Sequence, residues 1–314
     1  MSPLKRTLPE GPRPRLGRIG AVVHLGRPSA LALCKDLARW ATGHGIALRT
    51  LDRERGCLGE EVPAAAPADF ARGLDLVVVL GGDGTFLRAV GLVLREQVPV
   101  LGVNAGRLGF LTEVEPQDLE AALEAVRTGC CGIERRITLA ARTEVDGEGV
   151  VEDLALNDLV LEHAARERLA GVAVHVGGRL LARYAADGVM VSTPTGSTAY
   201  SFSAGGPIVS PRLDALLLTP IAPHMVFNRS LVLHADEPVR LEVLPGNHVL
   251  ESVDGRAVRE LAPGAVVEVR RGPRDALLMR VGKADFYGLV RSKFRLADAS
   301  ETEASQPLTD GPSS

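Results

Sequence analysis

Aromatic side chains are scarce in this chain: Phe, Trp and Tyr make up 4% of 314 residues, with a single Trp. A stacking platform for single-stranded nucleic acid needs more rings than that, so nucleic acid is not an expected partner. Charge of one sign is missing too. Lys and Arg number 36 against 39 Asp and Glu, a formal net charge of −3, which exerts no global pull toward nucleic acid or an anionic membrane. The four cysteines show neither Cys-x-x-Cys nor a Cys/His spacing suited to zinc. Cys34 falls on the apolar stripe of a predicted helix and reads as a buried thiol, and Cys130-Cys131 read as small apolar residues. The most apolar later stretch, 213–227, is interrupted by Pro220 and Pro223 and is too short to span a bilayer. Met1-Ser2-Pro3-Leu4-Lys5-Arg6-Thr7-Leu8-Pro9 carries charge with no apolar region after it, unlike a secretory signal. These absences predict a cytoplasmic protein with no membrane partner. A site for a phosphate-rich ligand would have to be built locally, from backbone N–H groups and a few placed Arg residues.

What is present is a globular composition, 46% hydrophobic and 24% charged, on a chain long enough for two domains. Residues 1–16 and 297–314 are rich in Pro, Ser, Glu and Arg without apolar periodicity, and are expected to be tails. Over 17–130, short apolar runs alternate with helical stripes. Leu76-Val77-Val78-Val79-Leu80 is uninterrupted, as in a strand covered on both faces of a parallel sheet. This pattern predicts an α/β domain with an open, mostly parallel sheet. Over 131–284 the period becomes two, punctuated by Asp146-Gly147, Gly177-Gly178 and Asp254-Gly255. Such pairs suit hairpin turns, so a mainly antiparallel β domain is expected there. Residues 285–296 lack this punctuation and are expected to return to the first domain.

Three segments carry chemistry. Gly81-Gly82-Asp83-Gly84-Thr85 follows the apolar run and opens a helix. Ligands of open α/β sheets bind beyond the carboxyl ends of strands, and glycines let backbone approach a polyphosphate. A carboxylate beside phosphates is repulsive, so Asp83 needs a reason to be there. It accepts the proton of an attacking hydroxyl or orients a metal, or, more plainly, it caps the helix. The dinucleotide fingerprint G-x-G-x-x-G fails, because Leu87 holds its third glycine position. Residues 104–111, Asn104-Ala105-Gly106-Arg107-Leu108-Gly109-Phe110-Leu111, follow the next strand, where Asn104 would face the same crevice. The run 187–207 concentrates hydroxyls and glycines that suit a nucleotide's base edge, ribose and phosphates; it lacks the lysine of a phosphate loop.

With Asn157-Asp158, Thr219-Pro220-Ile221-Ala222-Pro223-His224, Asn228-Arg229 and Arg291-Ser292-Lys293, these segments resemble the bacterial NAD kinase family over roughly 18–296. The resemblance implies transfer of the γ-phosphate of ATP to the 2′-hydroxyl of the adenosine ribose of NAD, with Asp83 as proton acceptor. It implies Gly84 and Arg88 against phosphates, and Asn157 and Asp158 on ribose and amide edges. Asp187, Thr198, Ala199, Tyr200, Ser201, Phe202 and Ser203 would line the NAD pocket, completed by backbone at Ala222. Ala185 is small where some relatives place Arg, a position bearing on NAD against NADH. Arg256 stands where relatives often have Gln, and Arg168 at a variable position that can face the ligand. A divalent cation, Mg²⁺ by preference, would neutralise the triphosphate, its protein ligands unspecified, and the family implies a homodimer or homotetramer. The alternatives are a lipid kinase of the diacylglycerol or sphingosine type sharing GGDGT, and a non-catalytic NAD(P)-binding sensor.

Overall fold

The computed structural model describes residues 16–106, 109–145, 149–164, 169–282 and 285–296. In chain order, the first half runs β1 (Arg18–Val23), α1 (Pro28–Gly43), β2 (Ala47–Leu51), the short β3 (Ala64–Ala65), β4 (Leu76–Gly81), α2 (Asp83–Val93), β5 (Val100–Asn104), α3 (Leu119–Thr128) and β6 (Gly132–Arg136). The β-rich half follows with β7 (Leu139–Val145), β8 (Gly149–Ala155), β9 (Asp158–His163), β10 (Ala170–Val176), β11 (Arg179–Ala186) and β12 (Gly188–Ser192). After the short α4 (Tyr200–Ser203) come β13 (Ala215–Ile221), β14 (Leu231–His234), β15 (Val239–Val243), β16 (Val249–Val253), β17 (Arg256–Leu261), β18 (Val266–Arg271) and β19 (Ala276–Arg280).

Every residue of β4 is buried, because helices cover both faces of its sheet. Successive strand side chains point to opposite faces, and the two cores show it. Leu76, Val78 and Leu80 pack with Leu33, Cys34 and Leu37 of α1. Val77 and Val79 pack with Phe86, Ala89 and Val90 of α2 on the other side. The sheet order is β3-β2-β1-β4-β5-β19-β6, with β1 and β4 as parallel neighbours. The connections leave in opposite directions at this pair, so the crevice beyond its carboxyl ends is the place for a ligand.

Two six-stranded sheets, β11-β10-β15-β18-β7-β8 and β14-β13-β12-β9-β16-β17, share one core, with Leu139, Val174 and Leu241 from one and Leu161, Val191 and Val249 from the other. Gly177 and Gly178 (φ 56° and 79°) turn β10 into β11, and Asp254 and Gly255 (φ 49° and 72°) turn β16 into β17. Positive φ at both central residues matches the twist of a two-residue hairpin. The Asp146-Gly147 turn lies outside the described residues, although β7 and β8 pair antiparallel around it.

The division between sheets differs from the expected one at 130/131 and 284/285. β6 pairs antiparallel with β19, and β19 pairs parallel with β5, so both belong to the first sheet. β6 escaped notice because its polarity is satisfied by ion pairs rather than exposed. Glu134 Oε1 is ion-paired with Arg136 Nε at 2.9 Å, its Oε2 accepts from Arg280 Nε at 2.7 Å, and Arg280 also reaches Glu113 at 2.9 Å. The chain thus rejoins the first sheet before residue 285. From Gly282 it forms a separate unit holding α5 (Phe286–Phe294), whose Gly288 N–H donates to Asp285 at 2.8 Å. The expected tails lie outside the described residues, save Leu16, which packs on the first core.

Phe86 is 1% exposed and carries the α2 contact that sets the height of the GGDGT turn. Phe86→Ala is expected to cost about 3–5 kcal/mol, read as a lowered urea midpoint at unchanged slope. An unchanged midpoint would show that α2 is anchored elsewhere.

Candidate functional site

Asp83 is the first residue of α2, next to its N-cap Gly82, but its carboxylate does not cap the helix. Oδ2 accepts from the Phe110 N–H at 2.8 Å and Oδ1 from the Leu111 N–H at 3.1 Å. A Cβ on Gly109 would collide with Oδ1, so only glycine lets the loop come this close. The 104–111 segment therefore meets Asp83 through its backbone. Asn104, expected to face the crevice, is 2% exposed and folds its own loop instead. Its Oδ1 accepts from Gly106 N at 3.0 Å and its Nδ2 donates to Gly106 O at 3.2 Å. Nothing stands within 4 Å of the position a Gly84 side chain would take, which leaves space for a ligand there.

Arg88, expected on phosphates, is committed first to protein. Its Nη2 donates to Glu54 Oε1 at 2.6 Å and to the Val23 carbonyl at 2.9 Å. Glu54 has a side chain with no exposure, and its Oε2 accepts the Val23 N–H at 2.9 Å. Burial pushes the Glu54 carboxyl up, opposed by that N–H and by the charges of Arg88 and Arg53. Arg88 still lines a cleft of about 700 Å³, with Gly84 on the same wall and Glu152, Asp254 and Arg256 opposite.

Asp254 organises the second wall. From its left-handed turn position its carboxylate accepts the N–H groups of Leu156 (2.9 Å), Asn157 (2.7 Å) and Asp158 (3.3 Å). The exposed Arg256 acts on it by charge. Asn157 Oδ1 is buried with no hydrogen-bond partner. Asp158, 3% exposed, is pushed up to about 7 by burial, then by the charges of Asp254 and Glu162. Asp158 and Glu162 lie two apart from Val160 on the same face of β9. Tyr200 donates its O–H to Glu162 Oε1 at 2.6 Å and is itself pushed up to about 12 by burial and by Glu162, Asp187 and Asp158. Asp158, Glu162, Asp187 and Tyr200 thus form one acidic cluster beside Asn157, which suits ribose hydroxyls and amide N–H donors and repels phosphate.

The 187–207 run uses its hydroxyls differently from the expectation, mostly to fold itself. Thr193 Oγ1 donates to Leu156 O at 2.6 Å and accepts from Gly196 N at 3.1 Å. Ser197 Oγ donates to Pro194 O at 2.7 Å and accepts from Val209 N at 3.0 Å, while Thr198 donates to Thr195 O at 3.3 Å. Ser201 meets Thr219 at 3.3 Å. A Cβ on Gly196 would strike the Asn157 carbonyl, so the run is docked against Asn157-Asp158. After Ala199, partly exposed, the run's exposed residues are Tyr200, Phe202, Ser203, Gly205 and Pro207. Ala222 has φ 44°, and Ala185 O accepts from His224 N at 2.9 Å, which brings those two segments together. Arg168 lies outside the described residues.

The sequence reading missed the Phe110 and Leu111 amides as partners of Asp83, and it missed Glu54, Glu162 and Asp254. Asp254 was visible only as a turn residue, and Glu162 only as the same-face neighbour of Asp158.

Residues 19–130 match the ATP-NAD kinase N-terminal domain and residues 156–281 the ATP-NAD kinase C-terminal domain. NAD kinase 1 of Streptomyces coelicolor is 41% identical over 320 residues, covering 90% of this chain and 86% of that protein. The NAD kinase of Heliobacterium modesticaldum is 43% identical over 281 residues, covering 88% and 98%. Among solved structures, yeast NADH kinase complexed with NADH superposes with a TM-score of 0.82 at 25% identity, covering 94% of this chain and 91% of that one. An Archaeoglobus fulgidus NAD kinase in complex with ATP shares the fold with a TM-score of 0.68 at 23% identity, over 90% and 99%.

Folded Asp158 keeps its proton to about 7, whereas the unfolded carboxyl releases it near 3.8. The folded state therefore binds more protons between these values, and stability falls as pH rises through that window. Asp158→Asn is expected to remove this slope, raising the melting temperature of the ligand-free protein at pH 8 while weakening NAD binding. Thermal melts at pH 5 and pH 8 with an NAD titration check it; destabilisation at pH 8 would mean the ionised carboxylate is compensated.

Proposed function

We propose residue roles for catalysis by this chain, which belongs to the ATP-NAD kinase family and is an NAD kinase. The γ-phosphate of ATP passes to the 2′-hydroxyl of the adenosine ribose of NAD, giving NADP and ADP. The O2′–P bond forms, the bond from phosphorus to the β,γ-bridging oxygen breaks, and the hydroxyl proton goes to Asp83. The observation that carries this assignment is the way Asp83 is held. Two backbone N–H groups fix its oxygens at 2.8 and 3.1 Å, yet a carboxylate has about four acceptor sites, so capacity remains for the hydroxyl. A positioned base of this kind contributes typically ~10²–10⁴-fold.

The acidic cluster is proposed to take the NAD adenosine. The unpartnered Asn157 Oδ1 would accept an N–H of the ligand, Asp158 would meet a ribose hydroxyl, and Tyr200 would offer a ring face. The yeast relative solved with NADH supports a dinucleotide here. Gly84, Arg88 and Arg256, around one cleft, are proposed for the donor side. A lipid kinase would need an apolar entry for its chain, and Asp158, Glu162 and Asp187 make this region acidic. Among the described residues no group of three or more His, Cys, Asp or Glu could hold a metal ion. Mg²⁺ is proposed to bind chiefly through substrate phosphates and water.

A homodimer or homotetramer is proposed on exposed apolar residues: Leu180 and Leu181 on the edge strand β11, Val226 and Phe227 in the loop after β13. Sedimentation should give a dimer or tetramer at micromolar concentration; a fully active monomer would refute it. Among the described residues no helix is long and apolar enough to cross a membrane, and a cytoplasmic setting is proposed.

Asp83→Asn tests the chemistry with ATP, Mg²⁺ and NAD as substrates and NADP as readout. Turnover is expected to fall by ~10²–10⁴, with NAD affinity by calorimetry little changed. Asn also turns an NH₂ toward one of two backbone donors, so a modest drop in melting temperature should accompany it. Full activity would remove Asp83 as proton acceptor.

A further inference from the structure

Arg27 lies in the turn between β1 and α1 and is the N-cap residue of α1. Its backbone is pinned, with its N–H donated to His24 O at 3.1 Å and its carbonyl accepting from Ala30 N at 3.1 Å. Ser29 Oγ donates to Ala105 O at 2.6 Å, tying the start of α1 to the loop after β5. This places the Arg27 guanidinium over the crevice. Nη1 would be 3.7 Å from a Cβ on Gly82 and would collide with a Cβ on Gly106. The group thus sits between the end of β4, one residue from Asp83, and the end of β5.

Among the described residues the Arg27 guanidinium makes no ion pair and no hydrogen bond. Three features make that arrangement informative. The adjacent carboxylate, Asp83, directs both oxygens to backbone N–H groups instead. The starts of α1 and α2, from sequence-neighbouring units on opposite faces of the sheet, each lack a side-chain cap. Helix starts carry partial positive charge and disfavour a cation, so an anion placed between them and the guanidinium would be attracted by all three. Finally, the arginine first expected to serve phosphate is diverted: Arg88 is 2.6 Å from buried Glu54, which also has Arg53 at 3.6 Å.

We propose that Arg27 is a catalytic residue of this kinase, donating hydrogen bonds to the terminal phosphate of the donor beside Asp83. It keeps its proton throughout and stabilises charge on the equatorial oxygens as phosphorus moves from the β,γ-bridging oxygen to O2′. Gly106 is then glycine to leave room for the guanidinium. The proposal rests on the kinase reading above.

The test uses the full chain with Arg27→Ala, Arg27→Lys and Gly106→Ala. Arg27→Ala should lower kcat/KM for ATP by ~10²–10³, the range for losing one transition-state donor. Binding of a non-hydrolysable ATP analogue should weaken at least about tenfold, while NAD affinity and melting temperature hold. Arg27→Lys should restore part of the loss. Gly106→Ala keeps the charge but displaces the group, and should lose ATP efficiency in the same direction. Arg27→Ala within about threefold of wild type for both ATP measurements, or a loss shared equally by NAD binding and melting temperature, would overturn the proposal. Wild type that makes no NADP would overturn the kinase reading instead, and the analogue titration would still decide whether Arg27 holds phosphate.

Discussion

The two hydrogen bonds from Phe110 and Leu111 N–H to Asp83 hold the site together. They join the start of α2 to the loop after β5 and turn a carboxylate that could have capped a helix into one aimed by the neighbouring loop. The arrangement needs Gly109, since any side chain there would occupy the place of Oδ1. It also needs β4 and β5 side by side, with Gly81 opposite Asn104, and Asn104 folding its own loop. A strand pairing, an Asn turn and a glycine contact thus converge on one carboxylate.

Acidic groups away from Asp83 fall into two kinds. Glu54 and Glu251 are buried and paired. Glu251, on β16, is within 3.3 Å of Thr143 on β7 and of Arg259 on β17, and Arg259 also binds Asp153 on β8. That network ties the two antiparallel sheets where their apolar core is interrupted. Breaking such a pair strands a buried charge, which is why both partners matter more than the pair's net worth. Asp158 is the other kind: buried, beside two further carboxylates, with no cation acting on it among the described residues. An arrangement that costs stability and serves no packing need is characteristic of a binding site.

Arg88 shows how tertiary contacts redistribute roles. It lines the cleft but spends its strongest hydrogen bonds on Glu54 and the end of β1, so it fixes the strand from which the α1 turn departs. Arg27, in that turn, carries no such obligation.

The sequence by itself determined the order and kind of the elements. An unbroken apolar run means a strand covered on both faces, and alternation with Gly-Gly or Asp-Gly means hairpins, because these patterns follow from local geometry of period two and 3.6. It also singled out Asp83 and Tyr200, whose short segments are distinctive in composition, whereas Asn157 and Asp158 entered only through the family resemblance. Membership of β6 and β19 in the first sheet depended on the tertiary structure: their polarity is satisfied by Arg280, which pairs with the distant Glu134 and Glu113. The same holds for Asp254, whose three N–H donors come from residues 156–158, and for Thr193 and Ser201, whose hydroxyls meet Leu156 and Thr219. Which groups a polar side chain meets depends on which segments pack together, and no local pattern encodes a contact between residues so far apart in the chain.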